Sequence, residues 1–184
     1  MARIRALKPN VSQEEAMELL SPRGLSGAVR NLFSGPVRSV ADFYIPFRIF
    51  QVEIQNAGER TSHVFGLDAV NGSLDLYTWE HLPAENETFL LETRNRLPIV
   101  LPEEDGQRMV ADKVRRLIFA QGFFRVRNFG ISAEPVPGEI HVPYWAAFRG
   151  HGIRAHIAAL DAVRRQMEGS RVRQMLRHWL TSIH

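Results

Sequence analysis

The chain has 184 residues, enough for one ample domain or two small ones, and an ordinary globular composition of 45% hydrophobic and 23% charged residues. It contains no cysteine, which excludes disulfide frameworks, zinc–thiolate sites and cysteine nucleophiles. Twenty-one Arg and 2 Lys stand against 20 acidic residues, and a net +3 spread over this length is too balanced to announce a polyanionic partner.

The amino-terminal residues are basic but carry no apolar core of signal-peptide length. No stretch approaches the roughly 20 apolar residues of a spanning helix. The expectation is a soluble, cytoplasmic protein without membrane attachment.

In chain order, Ser12-Gln13-Glu14-Glu15 has the form of a capping box and predicts a helix running to about Leu20. A second helical stripe follows at Leu25, Ala28, Val29, Leu32 and Phe33. From Val40 to Ile54 the texture becomes aromatic and β-branched, 56–59 supplies a turn, and Thr61 to Val70 reads as the returning strand of a hairpin. Asn71-Gly72 predicts a tight turn and Leu74 to Trp79 a third strand. The proline-marked residues 81–103 read as a connecting segment with a short strand from Phe89 to Arg94.

A helix is expected from Glu103-Glu104-Asp105, acids at the positive end of its dipole, to Gly122. Its stripe is Val110, Val114, Leu117, Ile118 and Gln121. Three strands are expected after it: Phe123 to Ile131, Glu139 to Phe148 and Ile153 to Val163. Turns at 135–138 and 149–152 separate them. Ser170 opens a final amphipathic helix with Val172, Met175, Leu176, Trp179, Leu180 and Ile183 on one face.

One echo organises this pattern. Residues 63–70 read HVFGLDAV and residues 156–163 read HIAALDAV; upstream, Tyr44-Ile45-Pro46-Phe47 is matched by His141-Val142-Pro143-Tyr144. The order helix, strand with proline, turn, strand ending in Asp-Ala-Val occurs twice. The fold expected is α+β: two tandem helix-plus-antiparallel-sheet repeats packed as a pseudo-symmetric pair. Residues 1–80 form the first repeat, 81–103 the connector, and 104–184 the second repeat with its C-terminal helix. The run Asp68-Ala69-Val70-Asn71-Gly72 resembles the strand pair of PepSY and cystatin-like domains, in which a helix lies on a curled sheet. That resemblance covers these few residues, lapses at Arg164-Arg165 in the second copy, and implies no particular function.

The echo is better explained by structure than by chemistry. His63 and Asp68, five residues apart in an extended strand, stand about 16 Å apart on opposite faces and cannot act as neighbours. Asp68 and Asp161 sit where a strand meets a turn and can accept backbone hydrogen bonds. Pro46 and Pro143, lacking an N–H, belong on an edge strand, at a strand's beginning or at a bulge. His141, His151 and His156 lack zinc-ligand spacing, and no GxSxG, GxGxxG, phosphate-loop or HExxH string occurs, so no metal or cofactor is expected.

Alternation puts Tyr44, Arg48 and Phe50 on the strand face opposite Phe47, with His141, Trp145 and Ala147 at the corresponding second positions. Tyr44, Arg48, His141 and Trp145 are therefore the candidate binding residues. The leading expectation is a non-catalytic binding or assembly module for a protein or small ligand, using a sheet face or the last helix; a homo-oligomer is compatible with it. Two alternatives stand beside it. One is an enzyme with a pocket between the repeats. The other is a single-stranded nucleic-acid binder in which Arg48, Arg125 and Arg127 hold phosphates beside strand aromatics.

Overall fold

The computed structural model describes residues 1–21, 37–120, 127–149 and 156–182. The expected helix over Leu25–Phe33 and the turn at 150–152 lie outside them. The elements are β1 (Ala2–Leu7), α1 (Gln13–Leu20), β2 (Val37–Asn56), β3 (Glu59–Asp68), β4 (Tyr77–Trp79), β5 (Thr88–Thr93), α2 (Glu103–Ala120), β6 (Gly130–Arg149), β7 (His156–Asp161), β8 (Gln166–Met167) and α3 (Ser170–Ser182). The protein is α+β, with three α-helices, one short 3-10 helix (Glu85–Glu87) and eight strands among the described residues.

The chain divides into two compact units, and the division does not fall at the expected connector. The first unit comprises Met1–Ile45, Leu90–Leu97 and Val142–His184; the second comprises Pro46–Phe89 and Pro98–His141. The boundaries cut β2 between Ile45 and Pro46 and β6 between His141 and Val142, because both strands run for 20 residues and supply residues to both units.

In the first unit the chain enters α1 through a complete capping box. Ser12 accepts from the Glu15 N–H at 3.2 Å, and the Glu15 carboxylate accepts from the Ser12 N–H at 3.0 Å. Two of the helix's orphan donors are thereby satisfied. At its other end the buried Arg149 donates to the Leu20 carbonyl at 2.5 Å, placing a cation where the helix dipole is negative. Arg149 was expected in a turn; it is instead the last residue of β6. The apolar side of α1, Ala16 and Leu20, packs with Val11, Val40, Ala147, Ala158 and Leu160. β7 returns along β6 in antiparallel register, from Tyr144 opposite Asp161 to Arg149 opposite His156. α3 buries Val172, Met175 and Leu176, as its periodicity predicts.

In the second unit β2 and β3 form the predicted hairpin, paired from Asn56 opposite Glu59 to Phe47 opposite Asp68. The turn between them uses Ala57 and Gly58 at positive φ, +53° and +90°. β4 is shorter than expected and begins at Tyr77, because Leu74 donates its N–H to the Asp68 side chain instead of joining a ladder. Trp79 lies across Gly66, where an added Cβ would come within 2.3 Å of the indole, so only glycine fits there. α2 buries Gly106, Val110 and Val114 against Phe50, Val52, Phe65 and Leu67. Leu117, assigned to its apolar stripe, is half exposed.

Two further expectations differ. The strand expected over Phe123–Ile131 begins only at Gly130; residues 121–126 are outside the described set. The turn expected at 135–138 is absorbed into β6, with Gly138 at φ +88° supplying the irregular backbone that would otherwise end the strand.

Candidate functional site

The conspicuous geometry lies where the prolines meet the aspartates, once in each unit. In the second unit the ladder pair Phe47–Asp68 is followed by Pro46 and Ala69. An antiparallel pair of this kind exchanges two N–H···O bonds. Only one is available, from Ala69 N–H to the Pro46 carbonyl at 2.8 Å, because proline has no N–H to return. The Ala69 carbonyl is left open. It accepts the N–H groups of Val100 and Leu101, at 2.9 and 3.0 Å, from the segment that leads into α2. Arg48, two residues beyond Pro46, closes the clamp by donating from Nη1 to the Leu101 carbonyl.

The first unit has the same parts. Tyr144 pairs with Asp161, Ala162 N–H donates to the Pro143 carbonyl at 3.1 Å, and the Ala162 carbonyl accepts Asn10 N–H at 2.7 Å. Asn10 lies just before α1. Trp145, two residues beyond Pro143, donates from Nε1 to the Val11 carbonyl at 2.9 Å. Asn10 adds a bond from its side-chain amide to the Val163 carbonyl at 2.8 Å.

Each aspartate organises the turn that follows it, and both are fully buried. Asp68 Oδ1 accepts from the N–H of Asn71 at 3.0 Å and of Gly72 at 2.9 Å, while Oδ2 accepts from Leu74 N–H at 2.8 Å. Gly72 takes φ +67°, a backbone conformation that strains any residue with a side chain. Asp161 Oδ1 accepts from the N–H of Val163 and of Arg164, both at 2.8 Å. A carboxylate can leave water only if its lone pairs find donors of this kind.

The four candidate binding residues divide between the units. Tyr44 and Trp145 belong to the first, Arg48 and His141 to the second. Tyr44 and His141 are buried, at 6% and 5% exposure. Tyr44 exchanges backbone hydrogen bonds with Asn95 and Leu97, and its ring is no longer on an open face. Burial, and then the adjacent Asp42 carboxylate, push its phenol well above the ordinary tyrosine range. Arg48 and Trp145 are half-buried, and each donates to a backbone carbonyl, Arg48 from Nη1 to Leu101 and Trp145 from Nε1 to Val11. β2 is covered on both sides between Phe43 and Phe50: Phe43, Phe47 and Phe50 are all buried.

Sequence reasoning missed Arg149, Asn10 and Leu101, whose roles depend on partners up to 153 positions away. A shallow groove of about 260 Å³ in the second unit is lined by Glu53, Ile54, Gln55, Arg60, Gly130, Ile131 and Ser132. No three His, Asp or Glu side chains are grouped to hold a metal ion, and no helix is long and apolar enough to cross a membrane, among the described residues. No family model, no curated protein and no solved structure matches the chain.

Proposed function

We propose that the chain is an internally duplicated scaffold acting as a non-catalytic binding or assembly module in the cytoplasm. The observation that carries this reading is the agreement of two sets of hydrogen bonds. Three bonds correspond: Ala69 and Ala162 N–H donate to the Pro46 and Pro143 carbonyls, Val100 and Asn10 N–H donate to the Ala69 and Ala162 carbonyls, and Arg48 and Trp145 side chains donate to the Leu101 and Val11 carbonyls. Duplication of one ancestral module accounts for Arg48 and Trp145 together: two unlike side chains sharing a single task, donation to the carbonyl of the residue leading into a helix.

The same observation favours binding over catalysis. Asp68, Arg48 and Trp145 are the groups a reaction would recruit, and their hydrogen-bonding capacity is directed at the backbone. Recognition then falls to outward-facing side chains, including those of α3, where Arg173, Arg177 and His178 are exposed.

The test uses the purified full-length chain and its Asp68→Asn and Asp161→Asn variants, assayed against ester, phosphoester, glycoside and peptide substrates. The expected result is no turnover by any of them and a lower denaturation midpoint in both variants. Turnover by the native chain that either substitution abolishes, with cooperative unfolding retained, overturns the reading.

A further inference from the structure

The modest net charge conceals a separation that appears only when residues are assigned to units. The first unit contains 15 Lys and Arg against 7 Asp and Glu, a formal +8, and the second contains 8 against 13, a formal −5. The two figures recover the +3 of the whole chain. Arg3, Lys8, Arg38, Arg94, Arg173 and Arg177 are exposed on the first unit. α3 contributes three arginines and no acid over its 13 residues. On the second unit Glu53, Glu80, Glu85, Glu103, Glu134 and Glu139 are exposed.

We infer that the partner of the basic unit is the acidic unit of a second copy of the chain. This deepens the assembly reading above and rests on it. A nucleic acid would engage the first unit but be repelled by the −5 of the second, leaving that excess without a purpose; a second copy uses both. Arg48 and Arg127, two arginines that stand beside strand aromatics, do not favour nucleic acid, because both belong to the acidic unit.

The experiment is sedimentation of the full chain over a range of protein concentrations, at about 0.01 M and about 1 M salt, where the Debye length is about 30 Å and about 3 Å. Association at low salt, at least about tenfold weaker at high salt, is expected. Two variants locate the faces. Arg38→Glu with Arg173→Glu and Arg177→Glu lowers the basic unit from +8 to +2, and Glu80→Lys with Glu85→Lys and Glu134→Lys brings the acidic unit from −5 to +1. All six positions are exposed, so both variants retain the native thermal transition.

Each variant alone should lose self-association by at least about tenfold. An equimolar mixture should recover it as a heterodimer, since each variant keeps the face the other lacks. A native chain that stays monomeric at low salt, a mixture that does not recover, or a native chain that prefers a single-stranded oligonucleotide to its own copy overturns the inference. None of these outcomes produces turnover, so failure here is distinguishable from failure of the non-catalytic reading.

Discussion

Trp145 and Val11, 134 positions apart in the chain, are joined by a hydrogen bond of 2.9 Å from the indole Nε1–H to the backbone carbonyl. Arg48 and Leu101 are joined in the same way within the other unit. Both bonds hold the residue at which the chain turns into a helix, and they fix where that helix begins relative to its hairpin.

Removing the donor while keeping the apolar body isolates this bond. Trp145→Phe should destabilise the protein by about 1–2 kcal/mol, the cost of leaving a partly buried carbonyl without its partner. Trp145→Ala, which also strips packing from the cluster around Val11 and Leu160, should cost about 3–5 kcal/mol. Urea denaturation measures both. Equal midpoints for Trp145→Phe and the native chain would show the bond to be idle.

Each aspartate should stabilise its unit through the backbone donors it satisfies. Asp68 accepts from Asn71, Gly72 and Leu74, and Asp161 accepts from Val163 and Arg164 through Oδ1. Asp68→Ala and Asp161→Ala should each cost about 2–5 kcal/mol. Guanidinium unfolding measures both, and a loss below about 1 kcal/mol at either position contradicts the account.

Replacing each proline restores an N–H to the ladder, with unequal consequences. A carbonyl has two lone pairs. The Ala69 carbonyl already serves Val100 and Leu101, whereas the Ala162 carbonyl serves Asn10. Pro46→Ala should therefore speed amide hydrogen exchange at Val100 or Leu101, while Pro143→Ala leaves Asn10 protected. Unchanged exchange at both Val100 and Leu101 in Pro46→Ala would refute the account.

Two groups should shape the pH limits of stability. The Glu15 carboxyl is held below the ordinary glutamate range, first by the Ser12 N–H and also by Arg165. A depressed folded pKa gives stability that is present above the unfolded value of 4.5 and lost as pH falls through the folded one. Glu15→Gln should flatten the acid limb of thermal midpoint against pH.

Tyr44 works in the opposite sense: its folded pKa is raised, so its contribution is present below the unfolded value of 10.0 and lost as pH rises through the folded one. Tyr44→Phe should leave the acid limb unchanged and flatten the alkaline limb. Superimposable curves in either case would remove that group from the pH response.

Local signals made much of this fold readable. The capping box at Ser12 and Glu15, the 56–59 turn, Asn71-Gly72 and the apolar stripe of α3 act within a few residues, and all lie where their chemistry predicted. The candidate site was not readable in the same way. Tyr44, Arg48, His141 and Trp145 were placed by strand alternation, which tells which face a side chain takes but not what lies over that face. What covers Arg48 is Leu101, 53 positions on, and what covers Trp145 is Val11.

The sequence by itself determined α1, the β2–β3 hairpin, α2, α3, the absence of thiol chemistry and the recurring proline and aspartate, because each depends on short-range sterics, periodicity or composition. Tertiary structure decided which carbonyls the prolines leave open, which chain segments fill them and which charges belong to which unit. Those outcomes depend on residues 31 to 153 positions apart, and no short window of sequence encodes a meeting of that kind.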